Sequence, residues 1–248
     1  MSTRWAGVVV LALAGVTAGA AEPDGVYVED RRAPVDIEGV LAPRKLAAEP
    51  PPSRSAAARL VWMDPTRAAT GVEWIARDEV RALLRKMDVS ASWRIGEPGE
   101  AARPGEVGII LLNRAAAGAS GQPILGATPP HFDAAPFVWI HVPNVRAAVG
   151  LRADGPLEVL DMNAVRAFGV ALGRVIAHEL VHVMAPFAPH GKGLMSETLS
   201  SFQLTAARLD VEPAVGAAVR AALRGEPSPP PAGDDVLAAS AKGRKPAR

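Results

Sequence analysis

Apolar positions along this chain follow several rhythms, and each predicts a different element. From Val72 to Met87, the residues Trp74, Ile75, Val80, Leu83, Leu84 and Met87 recur at the three-to-four spacing of one helix face. Val89, Ala91, Trp93 and Ile95 alternate with polar residues, as in a half-buried strand. The continuous run VGIILL at 107–112 fits a central strand buried on both faces. RLVWM at 59–63, followed by Asp-Pro, predicts a further short strand. FVWIHV at 137–142 predicts another, and Pro143 at its end suits a sheet edge. The glycine- and proline-rich stretch 115–136 reads as a loop. Trp62, Trp74, Trp93 and Trp139 are expected in the core.

The longest helical pattern comes next. Val165, Phe168, Leu172, Val175, Ile176 and Leu180 supply one apolar face, Asp161 or Asn163 can cap the start, and Ala185-Pro186 ends it. Residues 196–209 predict a second helix with Ser196 as N-cap, and 211–223 a short last one with Pro213 in its first turn. The order strand, helix, three strands, then helices gives an α/β (α+β) fold with a small mixed sheet.

Composition changes this picture mainly at the ends. Hydrophobic residues make up 49% of 248, enough for a real core, while 23 glycines and 23 prolines predict generous connecting segments. Residues 1–21 carry Arg4, an apolar run from Trp5 to about Val16, and the small residues Ala18-Gly19-Ala20. That is the layout of a signal peptide cleaved after Ala20 or Ala21, and it predicts a secreted or periplasmic protein. A membrane anchor is the alternative, but the run is shorter than the roughly 20 residues a span needs. Residues 22–57, with three prolines at 50–52, read as a leader or linker, 58–223 as the folded domain, and 224–248 as a solvated tail. With 27 basic against 26 acidic residues, charge gives no reason to expect nucleic acid or an anionic membrane as partner. The chain has no cysteine, so disulfides and thiolate ligands are excluded. Any metal must rest on His, Asp and Glu.

Three of the five histidines fall within HELVHVMAPFAPHGKGLM, 178–195. His178 and His182 are four apart on a predicted helix, so both imidazoles can reach one ion about 2.0–2.1 Å away. Glu179 is rotated about 100° from His178, too far to be an easy ligand but placed to take a proton from water activated by the ion. Apolar residues flank this HExxH motif and set it in the core layer. An ordinary helical histidine pair is the plain alternative, but buried polar groups without a shared cation would be costly there. Pro186 then ends the helix and the chain returns His190 as third ligand, with Glu197 from the following segment as its competitor. Three protein ligands plus an open position is the arrangement of a catalytic zinc site. His131 and His141 read as loop and edge-strand histidines without a role, with oxyanion stabilisation as the alternative.

HExxH followed by a histidine and then a methionine resembles the metzincin clan of zinc endopeptidases, and GLM at 193–195 is similar to the clan's Met-turn, with Met195 as its methionine. The third histidine comes two residues later than in HExxHxxGxxH, and the variant spacing is similar to that of small secreted bacterial zinc peptidases. The resemblance implies a zincin-like twisted sheet with an active-site helix, Met-turn and C-terminal helices. It implies one Zn2+ per chain on His178, His182 and His190, Glu179 as general base, and a peptide or protein substrate. By the same analogy the strand at 137–142 would be the edge beside the cleft. A non-catalytic zinc-binding domain that kept the fold, and a zinc hydrolase of non-peptide amides, are the other readings. No stable membrane insertion is expected after signal cleavage, and the oligomeric state stays open.

Overall fold

Among the described residues, six strands hydrogen-bond into one sheet: β1 (Val8–Val10), β2 (Ala56–Met63), β3 (Val89–Ile95), β4 (Glu106–Leu112), β5 (Ile124–Ala127) and β6 (Phe137–His141). The computed structural model describes residues 8–10 as backbone, and 56–97, 99–129, 135–154 and 161–226 in full. The expected signal peptide otherwise lies outside the described residues, as do most of the leader, His131, and the tail beyond Glu226. The order is β1-β5-β6-β4-β2-β3. β3, β2, β4 and β6 run parallel, while β5 is antiparallel to β6 and β1 antiparallel to β5. β2 opens at Ala56, two residues before the expected domain start.

Register decides which side chains share a face. Trp62 pairs with Ile109 and Ile109 with Val138, while Leu60 pairs with Val107 and Leu111 with Ile140. Because side chains alternate along a strand, these residues project from one side of the sheet, and all are buried. α1 (Glu73–Lys86) and α3 (Met162–Met184) join them in a single core through Leu83, Leu84, Phe168, Leu172, Val175 and Ile176. The Asp161 carboxylate caps α3 by accepting from the Ala164 N–H at 2.7 Å. α3 is the one described helix long and apolar enough to cross a membrane, yet most of it is packed inside this core. Arg174, almost wholly buried, donates to Glu79 of α1 at 2.8 Å and so ties the two helices one turn before His178.

Four expectations need correction. The stretch 115–136 is not all loop, since it contains β5. Its four residues are too short for alternation to stand out, and pairing with β6 is what makes them a strand. Consequently β6 is not an edge. Pro143 opens α2 (Val142–Ala148) at its first turn, where a missing N–H costs nothing. The helix expected over 196–209 shrinks to α4 (Ser201–Thr205), capped by Ser200 in a capping box with Gln203, and Ser196 caps nothing. Trp74 is 62% exposed, because it falls on the outer side of the first turn of α1. The last helix, α5 (Pro213–Leu223), forms as expected.

Two glycines let α1 and α3 approach closely. A Cβ on Gly173 would lie 2.6 Å from the Ala76 carbonyl oxygen, which is backbone and cannot rotate away. Gly173→Ala is therefore expected to destabilise the fold by about 1–3 kcal/mol through overpacking, outweighing the gain of up to about 1 kcal/mol in helix propensity. A urea denaturation midpoint equal to the parent's would contradict this packing.

Candidate metal centre

His178 and His182 stand one turn apart near the C-terminal end of α3 and face the same way. The helix stops at Ala185 because Pro186 follows: the residue before a proline is driven out of helical geometry, and Ala185 sits at φ −135°, ψ 73°. The chain then turns back and presents His190. Nε2 of His182 lies 3.0 Å from Nε2 of His178 and 3.2 Å from Nε2 of His190. One ligand nitrogen from each of the three falls within 4.8 Å of the others. Nitrogens each about 2.05 Å from a tetrahedral ion stand about 3.3 Å apart, so the cluster needs shifts of only tenths of an ångström to hold one.

The protonation pattern follows from the hydrogen bonds. The Leu194 carbonyl, 2.7 Å from His178 Nδ1, can only accept, so Nδ1 carries the proton and Nε2 turns a bare lone pair to the other two rings. Burial first, then the neighbouring His182, pushes His178 down to about 3. Burial and His190 push His182 down to about 4. Neutral imidazoles with converging lone pairs are a cation's donor set.

Glu179 leaves the helix on another side and meets β5. The Thr128 hydroxyl lies 2.8 Å from its Oε2 and 3.1 Å from its main-chain oxygen. Gly126 gives the carboxylate room, since a Cβ there would fall 2.7 Å from Glu179 Cγ and 3.0 Å from Oε1. Oε1 itself has no hydrogen-bond partner among the described residues, and Glu179 is 0% exposed. Burial raises the carboxyl to about 8 against the opposing effect of Thr128. A buried carboxyl oxygen left without a donor costs about 1–3 kcal/mol, a cost an adjacent cation or its water would relieve. On donor set and spacing, the three histidines fit a metal ion.

The remaining candidates fall into place around this group. Met195 is buried in a tight 3-10 turn, Gly193–Met195, whose Leu194 carbonyl is the partner of His178. Glu197 is exposed and outside the three-histidine group, so the structure brings His190 and not its competitor to the pair. His141 is buried at the end of β6 with Nδ1 3.1 Å from the Arg114 carbonyl oxygen, serving the loop that follows β4. Sequence reasoning missed Gly126 and Thr128. Gly126 lies in a strand of four residues and Thr128 directly after it, and only that strand's pairing with β6 brings both to Glu179. Comparison with protein-family models, with curated proteins and with solved structures finds no match to the chain.

These shifts give the metal-free protein a bell-shaped stability profile. As pH falls below 6.5, the unfolded chain protonates two histidines that the fold keeps neutral down to about 4 and about 3, so stability drops with acid. As pH rises from 4.5 to about 8, the unfolded chain has ionised a carboxyl that the fold keeps protonated, so stability drops with base. His141, which burial also holds below the usual imidazole range, acts in the same direction; the imidazoles together outweigh one carboxyl below 6.5, and the maximum should fall at about pH 6–7, with slopes of up to about 1.4 kcal/mol per pH unit above it. Urea titrations of chelator-treated protein across pH 4–9 check this; a maximum above about pH 8 would contradict it.

Proposed function

We propose that the chain is an exported zinc-dependent peptidase, with one Zn2+ held by His178, His182 and His190 and with Glu179 as general base. The observation that carries this reading is the convergence of three imidazole nitrogens from HExxH and the returning loop. Three ligands leave a coordination position open, which suits catalysis and not a closed structural site. The mostly parallel sheet, the HExxH helix packed on it, and the tight turn at 193–195 with Met195 buried support a metzincin-like fold for the domain.

Zinc in such a site acidifies water and polarises a carbonyl. The rest of the reaction falls to the chain. Glu179 takes the proton of the attacking water as its oxygen bonds to the peptide carbon. It returns that proton to the departing amine as the carbon–nitrogen bond breaks. Thr128 holds the carboxylate through Oε2 and leaves Oε1 free for the water. β5, not the strand at 137–141, is the element that borders Glu179. Its outer edge carries main-chain groups that can pair with an extended peptide. In the full chain Val8–Val10 pairs along that edge. On this reading, cleavage of residues 1–21 as a signal peptide would release it.

A second reading, a metal-binding domain without catalysis, draws support from the complete burial of Glu179. Glu179→Gln separates the two. Glutamine keeps the shape but cannot take the proton, so the variant should retain one zinc while peptide turnover falls by at least about 10²–10⁴-fold. Equal turnover removes Glu179 from the mechanism, and a zinc-loaded parent that cleaves no member of a broad peptide library favours the second reading. His190→Ala should lose zinc and Glu197→Ala should keep it; the reverse would exchange the third ligand. The export half of the proposal has its own check: N-terminal sequencing should begin near Ala21 or Glu22, and a start at Met1 on membrane-bound protein would favour an anchor.

A further inference from the structure

His190 differs from the other two ligands in how it is held. His178 and His182 ride on a packed helix, whereas Pro186, Phe187, Pro189, His190, Gly191 and Lys192 are all exposed. Ala188 packs partly against the core, and the exposed residues around it draw their course from polar contacts. What anchors it lies downstream, at the entrance to α5. The Lys192 N–H donates to Glu212 Oε1 at 2.6 Å. Gly191 lies so close that a Cβ there would fall 2.7 Å and 2.9 Å from the two carboxylate oxygens. Two residues on, the Leu194 N–H donates to the Asp210 carbonyl oxygen at 2.8 Å, and Gly193 at φ +61° abuts the same oxygen. Gly191 N–H closes the loop on Met195 O at 2.8 Å.

Glu212 has a firm base from which to act. It is the N-cap of α5, followed by Pro213 at the first helical position, and Val215 and Val219 root that helix in the core. Its side chain does not cap its own helix. A carboxylate accepting a backbone N–H makes a charge-assisted bond, stronger than a neutral one. On the other side of the turn, Gln203 Nε2 donates to Ser196 Oγ at 2.6 Å, and the Gln203 carbonyl accepts from buried Arg174 at 2.6 Å. The segment 203–212 therefore cradles the whole stretch 191–196 that follows His190 and carries the Leu194 carbonyl.

We infer that Glu212 is a positioning residue for the metal centre: by holding the Gly191–Lys192 backbone it presents His190 to the His178–His182 pair, and so sets metal affinity without touching the ion. This rests on the reading of the three histidines as metal ligands. Groups hydrogen-bonded directly to a metal ligand typically contribute about 10–100-fold to affinity, and Glu212, acting through the backbone next to His190, is expected within that range.

The test is zinc affinity of the chelator-treated full chain, read by competition with a chromophoric chelator. Glu212→Ala should bind zinc about 10–100-fold more weakly, while its metal-free unfolding midpoint stays near the parent's. Glu212→Gln offers an oxygen at the same place and should stay within a few-fold of the parent. Gly191→Ala, on the exposed loop where refolding is not in question, must push the carboxylate off the Lys192 amide and should weaken zinc by the same order. With Co2+ in place of zinc, Glu212→Ala and Gly191→Ala should show a visible spectrum shifted from the parent's, as one imidazole is lost. Tight zinc binding by Glu212→Ala and Gly191→Ala, equal to the parent's, would overturn the inference and leave the metal site standing. So would a Gln variant as weak as the Ala variant. A folded parent that takes up no zinc would remove the metal reading itself, and this inference with it.

Discussion

Everything near the centre follows from drying polar groups at the end of a core helix. Two imidazoles and a carboxyl on α3 are removed from water together, and each would rather be hydrated than buried. The fold answers that cost partly through its own donors and acceptors. The Leu194 carbonyl accepts a hydrogen bond from His178 Nδ1–H, and the Thr128 hydroxyl donates to one oxygen of Glu179. What stays unanswered, a set of converging lone pairs and one orphaned carboxyl oxygen, has the chemistry that a cation and its water would satisfy.

The remaining architecture delivers these groups to one place. α3 can run through the core because Gly169 and Gly173 let it approach α1 without a side chain between them, and Arg174 pins it to Glu79. That places the HExxH turn beneath β5, where Gly126 makes space and Thr128 makes a bond. The loop from Ala185 to Met195 then brings in the third imidazole and the carbonyl that orients the first. A short antiparallel strand and a glycine-bearing turn thus matter as much to the site as the long helix that carries the motif.

Much of the fold was legible in residue pattern. The helices at 73–86 and 162–184, the central strand at 106–112 and the Asp161 cap all follow from local spacing and polarity. Pattern failed where an element is short or its boundary is set by a partner. Ile124–Ala127 has too few residues to show alternation, and it becomes a strand only by pairing with β6. The segment 196–209 has helical composition, but Ser196 is drawn into the Gln203 network and the capping box at Ser200 resets the start. Trp74 looked like core by residue type, yet its angular position on α1 turns it to solvent.

By itself the sequence determined the helical HExxH, because a four-residue separation on a 3.6-residue turn stacks His178 over His182 whatever surrounds them. It also determined that no thiolate could take part, and that Pro186 would end the helix. Only the tertiary structure decided that His190 and not Glu197 joins the His178–His182 pair, that β5 and not β6 borders Glu179, and that Glu212 holds the backbone that follows His190. Those facts join residues between 8 and 53 positions apart in the chain, as from His182 to His190 and from Gly126 to Glu179. Across such separations local geometry imposes no direction, and only packing of the whole core brings the groups within bonding distance.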